Sequence, residues 1–236
     1  DYIFGLDIGA SKINLFVGIS EGDSMRVVEC GDFPLTKPDE YDIVIETLKN
    51  AAQVLERSAG VDVRDVYVGI AGKHVSSLNY QGVITLPTGE VRDEDMENVK
   101  KLASTLPIQA GEKIHVFPGE YKLDEGDPIR NPKGRAGRRL SVDVQVITAR
   151  HNALQDITKC ITKAGLNVAA FVLEPLAAAY AVLTDDEREL GVALIDIGAG
   201  SADISVFLND SVRYTASLDL AGNTITSDIS KCLGVP

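Results

Sequence analysis

Two short acidic turns, Asp7-Ile8-Gly9-Ala10-Ser11 and Asp196-Ile197-Gly198-Ala199-Gly200-Ser201, recur in a chain of 236 residues. The likeness extends into the flanking segments. Ile3-Phe4-Gly5-Leu6 precedes one aspartate and Val192-Ala193-Leu194-Ile195 the other. Leu15-Phe16-Val17 follows one turn and Ser205-Val206-Phe207 the other, an alignment that takes a single inserted residue. A repeat of this kind predicts two related lobes facing one another, with a ligand held in the cleft by both turns.

One such turn alone reads as a tight hairpin; two in matching contexts point to a shared ligand. Glycine has no Cβ, so its backbone can bring N–H groups up to phosphate oxygens as an anion-binding nest. Each charge-assisted hydrogen bond there contributes about 1.5 to 3 kcal/mol. An aspartate at the end of each strand would repel bare phosphate. Asp7 and Asp196 therefore imply an intervening divalent cation, magnesium held largely through its waters. Ser11 and Ser201 offer hydroxyls to phosphate, and Lys12 offers neutralising charge. Neither the Walker nor the dinucleotide glycine pattern is present, which excludes those two sites.

A third element is Leu173-Glu174-Pro175-Leu176-Ala177-Ala178-Ala179. A carboxylate at a strand-to-helix junction can position water for attack on a terminal phosphate. The competing reading of Glu174 is an ordinary acidic residue favoured by a helix N-terminus.

Apolar spacing sets out an α/β chain. Ile3, Leu6, Ile13, Leu15 and Val17 predict two strands around the first turn, with a third near Val27, Val28 and Cys30. Ile43, Thr47, Leu48, Ala51, Ala52, Leu55 and Ala59 predict a helix over 40–59, stopped by Gly60. Val66 to Ala71 reads as a buried strand. From Val83 to Gly165 comes a self-contained set: a strand, a helix from Asp93 to Leu106, a strand from Ile114 to Leu123, a basic glycine-rich loop, the alternating Val142, Val144 and Val146, and a helix carrying Leu154, Ile157 and Ile161. This set predicts an inserted subdomain. The first layer resumes from Val168 to Leu173, with a short helix after Pro175 and a capping box at Thr184-Asp185-Asp186-Glu187. Strands flank the second turn, another runs near Val212 to Leu218, and a helix spans Thr224 to Cys232. The expected organisation is a first lobe over 1–82 and 166–190, an inserted subdomain over 83–165, and an incomplete second lobe over 191–236.

The formal charge of -12 argues against nonspecific nucleic-acid binding. The basic cluster Lys133, Arg135, Arg138 and Arg139 has no interleaved aromatic residue and reads as a solvated loop, with a partner- or anion-binding patch as the alternative. Cys30, Cys160 and Cys232 are scattered, as suits a reducing cytosol, and His74, His115 and His151 lack metal-ligand spacing; these read as structural or surface residues. The longest nearly apolar stretch, Ala169 to Leu183, is broken by Glu174 and Pro175 and is shorter than the ~20 residues that cross a bilayer. No signal peptide is expected. The chain starts without methionine and stops just after a helical pattern, so a piece of a longer protein is expected.

Asp7 to Lys12, Leu173 to Ala179 and Asp196 to Asp203 resemble the first phosphate, first connecting and second phosphate motifs of the actin, heat-shock chaperone and sugar kinase ATPase superfamily. Within it, the chain resembles the bacterial cell-division FtsA family over essentially its whole length. The segments Val68-Gly69-Ile70-Ala71-Gly72-Lys73-His74-Val75, Asn79-Tyr80-Gln81-Gly82, Ile129-Arg130-Asn131-Pro132-Lys133-Gly134, Leu183-Thr184, Glu189-Leu190-Gly191-Val192-Ala193 and Ala221 to Ile229 carry that likeness.

The resemblance implies an α/β, actin-like ATPase fold with ribonuclease H-like lobes, truncated here, that binds ATP with Mg2+. It implies nucleotide contacts from Asp7, Gly9, Ala10, Ser11, Lys12, Gly198, Ala199, Gly200, Ser201, Asp203, Gly222 and Asn223. Asp7 and Asp196 would face the metal through water, and Glu174 and Asp196 would serve catalysis. ATP would act as an assembly switch rather than a fast-turnover substrate, with slow hydrolysis at most. The implied setting is cytoplasmic, at the inner face of the membrane at the division site. There the protein forms filaments, tethers the tubulin-like FtsZ, and meets other division proteins through the insertion. Membrane attachment would use a tail absent from this sequence. Ala10 stands where the family usually has threonine and Ala199 where it usually has glycine, so binding is the firmer expectation and hydrolysis the weaker. A pilus-assembly actin homologue, a non-hydrolysing scaffold of the same fold and a small-molecule kinase remain as alternatives.

Overall fold

The computed structural model describes residues 1–22, 24–105 and 111–235. Strands β1 (Tyr2–Ile8) and β2 (Lys12–Glu21) form an antiparallel hairpin around the first acidic turn, and β3 (Ser24–Pro34) continues it. Alternation puts Ile13, Leu15 and Val17 on the buried side. Helix α1 (Tyr41–Ala59) covers that side with Val44, Ile45, Leu48, Ala51, Ala52 and Leu55, all buried. Next come β4 (Asp65–Ile70), a 3-10 turn over Gly72–His74, and β5 (Val75–Thr85).

The middle of the chain supplies α2 (Asp93–Ser104), β6 (Glu112–Leu123), β7 (Arg139–Ala149) and α3 (His151–Lys163). The last part supplies β8 (Asn167–Leu173), α4 (Glu174–Val182), α5 (Asp185–Leu190), β9 (Val192–Ile197), β10 (Ala202–Leu208), β11 (Ser211–Leu218) and α6 (Gly222–Leu233). The predicted capping box forms as read: Thr184 accepts from the Glu187 N–H while the Glu187 carboxylate accepts from the Thr184 N–H.

Three sheets result, in the orders β3-β2-β1-β4-β8, β5-β7-β6 and β11-β10-β9. In the first, β1, β4 and β8 run parallel, so the first acidic turn, the Gly72 turn and the start of α4 emerge at one end of the sheet. The second sheet packs one face on α2, around Val99, Ala103, Tyr121, Val142, Val144 and Val146.

The structure differs from the sequence reading in three respects. First, β5 pairs with β7 from Val75↔Ala149 onward, so the second sheet begins ahead of the boundary expected at 82. Conversely, Cys160 and Ile161 of α3 are buried in the core shared by β1, β2 and α1, so this helix packs with the first layer as well as meeting the inserted sheet through Leu154 and Ala149. Periodicity reports that a helix has an apolar face but not which core the face meets. Second, the two acidic hairpins align without any inserted residue. Asp7 pairs with Asn14 and Asp196 with Asp203, and the loops close identically. A one-residue slip would turn every later side chain to the opposite face, which the buried side of a sheet does not tolerate. Third, α6 starts at Gly222, ahead of the expected Thr224. Of the predicted ends, Leu106 of the second helix and Pro236 of the second lobe lie outside the described residues.

Leu48 is 1% exposed at the centre of the α1 interface. Leu48→Ala is expected to lower unfolding free energy by about 2 to 5 kcal/mol, measured as a shift in denaturant midpoint with unchanged slope.

Candidate functional site

Each acidic hairpin closes with the same backbone bond. The Gly9 N–H donates to the Lys12 carbonyl at 3.0 Å, and the Gly198 N–H donates to the Ser201 carbonyl at 2.9 Å. In this shared register Ala10 corresponds to Ala199, Ser11 to Gly200, Lys12 to Ser201, and Asn14 to Asp203. The two loops meet: a Cβ built on Gly200 would lie 3.0 Å from the Ala10 methyl. Small residues at both positions are what let the turns approach.

A polar contact behind the loops ties the second hairpin to the first layer. Asp203 is buried, and its carboxylate accepts from the Gly72 N–H and from the Ser201 hydroxyl, both at 3.1 Å. This ties the second hairpin to the end of β4. Asn14, at the equivalent place on the first hairpin, instead donates to Asp7 at 3.2 Å.

One cavity of about 590 Å³ lies between the turns. Asp7, Gly9, Ala10, Ser11, Lys12, Glu174, Asp196, Gly198, Ala199, Gly200, Ser201 and Asp203 all line it. Gly222 and Asn223 do not. Their N–H groups instead donate to the carbonyls of Gly198 and Ala199 at 3.1 and 2.8 Å, anchoring the start of α6 beneath the second turn. Lys12 is also less available to an anion than expected, because its ammonium donates to Asp32 on β3 at 2.8 Å. Asn14, Gly72, Lys73, His74 and Asp219 line the same cavity and were not singled out as site residues from sequence. A glycine just past the end of a predicted strand, as at Gly9 and Gly198, was the available signal for the Gly72 turn.

Glu174 opens α4 at the end of β8. Its side chain lies against β4, where a Cβ on Gly69 would fall 2.8 Å from Glu174 Cγ. Burial, and then the negative charges of Asp7, Asp203 and Asp196, push its carboxyl up to about 8. Asp7 is raised too, chiefly by burial and also by Asp196, against the Asn14 hydrogen bond and the Lys12 charge. Among the described residues none of these four carboxyl groups forms an ion pair. Such an excess of negative charge fits a divalent cation. No three His, Cys, Asp or Glu side chains among the described residues converge closely enough to ligate one directly. The donor set therefore fits a cation approached through its own waters, as magnesium prefers.

The raised Glu174 group has a definite consequence for stability. The native state holds this proton more tightly than the unfolded chain does, so its contribution is fully present below about 4.5 and is lost as pH rises towards about 8. Native stability is expected to decline across that window in magnesium-free buffer. Glu174→Gln is expected to flatten the decline, as read from thermal midpoints at a series of pH values.

Comparison with known proteins adds to this geometry. The family model for the SHS2 domain inserted in FtsA matches residues 72–148, and the model for cell division protein FtsA matches residues 193–236. The chain is 38% identical to cell division protein FtsA of Pseudomonas aeruginosa, over 99% of this chain and 58% of that protein. It is 34% identical to cell division protein FtsA of Escherichia coli K12, over 99% of this chain and 57% of that protein. The chain thus spans somewhat more than half the length of these relatives. Among solved structures, the PilM-PilN type IV pilus biogenesis complex matches with a TM-score of 0.62 at 21% identity, over 99% of this chain and 66% of that one. The ethanolamine utilization protein EutJ from Carboxydothermus hydrogenoformans matches at 0.54 with 16% identity, over all of this chain and 58% of that one. The fold is that of the actin-like ATPases, with an SHS2 insertion.

Proposed function

Because this chain belongs to the FtsA family of cell-division proteins, we propose that its paired acidic turns form the magnesium and phosphate clamp of an ATP-dependent assembly switch. The observation that carries this reading is the gapless match of the two hairpins, closing face to face on one cavity with Glu174 between them. Glycine-bearing turns suit phosphate oxygens. Asp7 and Asp196 would hold hydrated magnesium, which would supply positive charge to offset that of the phosphates. Ser11 and Ser201 would add hydroxyl donors. Glu174 would accept a proton from, and orient, the attacking water, a role its raised pKa favours because magnesium brings it back towards ionisation.

A ligand that contacts both lobes stabilises the spacing at which both sets of contacts are made. In the whole protein this would link nucleotide state to filament formation on the cytoplasmic face of the membrane, and thereby to recruitment of the tubulin-like FtsZ. The first lobe, the insertion and the start of the second lobe supply the framework for that change. No described helix is long and apolar enough to cross a membrane.

A second reading, a scaffold that binds nucleotide without turning it over, draws support from the methyl groups at Ala10 and Ala199 and from Lys12 being engaged by Asp32. Single-turnover measurements separate the two readings, since a pure scaffold leaves bound ATP intact.

In the full-length protein, Asp196→Ala is expected to weaken magnesium-dependent ATP affinity by about 10- to 100-fold, measured by calorimetry with and without the metal. Gly198→Val is expected to weaken it similarly, because its side chain crowds the Ser201 carbonyl, which lies 3.2 Å from an ideal Cβ. Unchanged affinity in both variants would contradict the clamp. On lipid vesicles, the wild-type protein with ATP is expected to pellet as polymers and to bring FtsZ down with it; absence of both would overturn the assembly role.

A further inference from the structure

Strand β6 lies in the inserted sheet, yet its two neighbouring inward residues reach out of that sheet. Residues paired across an antiparallel ladder share a face. His115 pairs with Ile147 and Phe117 with Gln145, placing all four on the face opposite α2. That face rests on β8, α4 and the second acidic hairpin. Phe117 packs with the cluster of Ala179, Phe207 and Val212. Further along β6, Glu120 accepts from the Asn209 side chain at 3.2 Å.

His115 makes the most specific of these contacts. Its Nε2 accepts a hydrogen bond from the backbone N–H of Leu173 at 3.0 Å. Leu173 is the last residue of β8 and is 1% exposed. Because β8 is an edge strand, the side of it turned away from β4 has no neighbouring strand to receive its N–H groups. The imidazole takes that place at the last residue of the strand, where the next residue is Glu174. The bond requires the proton on Nδ1, and burial, which holds the imidazole pKa below its ordinary value, keeps Nε2 free to accept.

We propose that His115 is a positioning residue for Glu174: from the inserted sheet it fixes the strand-to-helix junction that aims this carboxylate into the cavity between the two turns. This rests on the role given above to Glu174. It also makes the insertion part of the nucleotide site. The same strand touches the Glu174 junction through His115 and the second hairpin through Phe117, so a change in their relative position is felt by both.

The test uses full-length protein and compares His115→Leu, His115→Gln and Glu174→Gln. Leucine keeps the bulk but has no acceptor, whereas the glutamine amide oxygen reaches a place close to that of Nε2. His115→Leu is expected to lower kcat for magnesium-ATP about tenfold while KM changes by less than about twofold. His115→Gln is expected to restore most of the rate. Amide exchange at Leu173 should quicken in the leucine variant and not in the glutamine one. If His115→Leu does not fold, His115→Asn, polar but too short to reach Leu173, takes its place with the same expectations. Wild-type kcat in the leucine variant while Glu174→Gln is impaired, or a glutamine variant as slow as the leucine one, would overturn the proposal alone. A Glu174→Gln variant as fast as wild type, or a wild type with no turnover, would overturn the role of Glu174 and that of His115 with it.

Discussion

Burial of the Glu174 carboxyl, in the company of the carboxyl groups of Asp7, Asp203 and Asp196, is the constraint around which the rest of this molecule is arranged. Four carboxyl groups line one cleft, and burial first, then repulsion from the other three, displaces the Glu174 group from its usual value to about 8. On the order of several kcal/mol must be offset elsewhere. The structure does this with backbone hydrogen bonds and apolar packing rather than with compensating cations. Asp203 is spent on the Gly72 N–H and the Ser201 hydroxyl, and Asn14 takes the matching place on the other hairpin, where a carboxamide can donate to Asp7. The duplication is thus asymmetric in charge at the one position where symmetry would add a fifth negative group.

Such a site is held in tension. Cohesion comes from the packed first sheet and α1, from the contact of Gly200 with Ala10, and from the face of the inserted sheet that leans on β8, α4 and the second hairpin. A cation placed among the carboxyl groups turns the repulsion into attraction, and it acts on both lobes at once. This is how a small ligand can bias the relation between large elements, since its contacts differ between the arrangements it joins.

The sequence carried much of this on its surface. Strand and helix positions followed from apolar spacing because each element buries one face: α1 from a stripe whose Leu48, Ala51, Ala52 and Leu55 are buried, the first hairpin from Ile13, Leu15 and Val17. The Thr184 capping box could be read because both partners lie within one turn of helix. Of the twelve expected residues that share one cavity, eleven lie in the two hairpins, whose loops are defined locally, and Glu174 joins them from the β8–α4 junction. What escaped was set by distant partners. Lys12 is drawn to Asp32 across the β2–β3 ladder, α3 joins the first core, and Gly222 and Asn223 anchor a turn from beneath.

By itself, then, the sequence determined the two acidic hairpins, their glycine-bearing loops, the helices and the family, since all of these are written in short-range spacing. Only the tertiary structure decided the common register of the hairpins, the pairing of His115 with Leu173 and the charge state of Glu174. Equivalent local sequence gives the same strand, but burial depends on which elements come to lie beside it. A pKa depends in turn on burial and on neighbouring charge, so the chemistry of the site could not be read from its motifs alone.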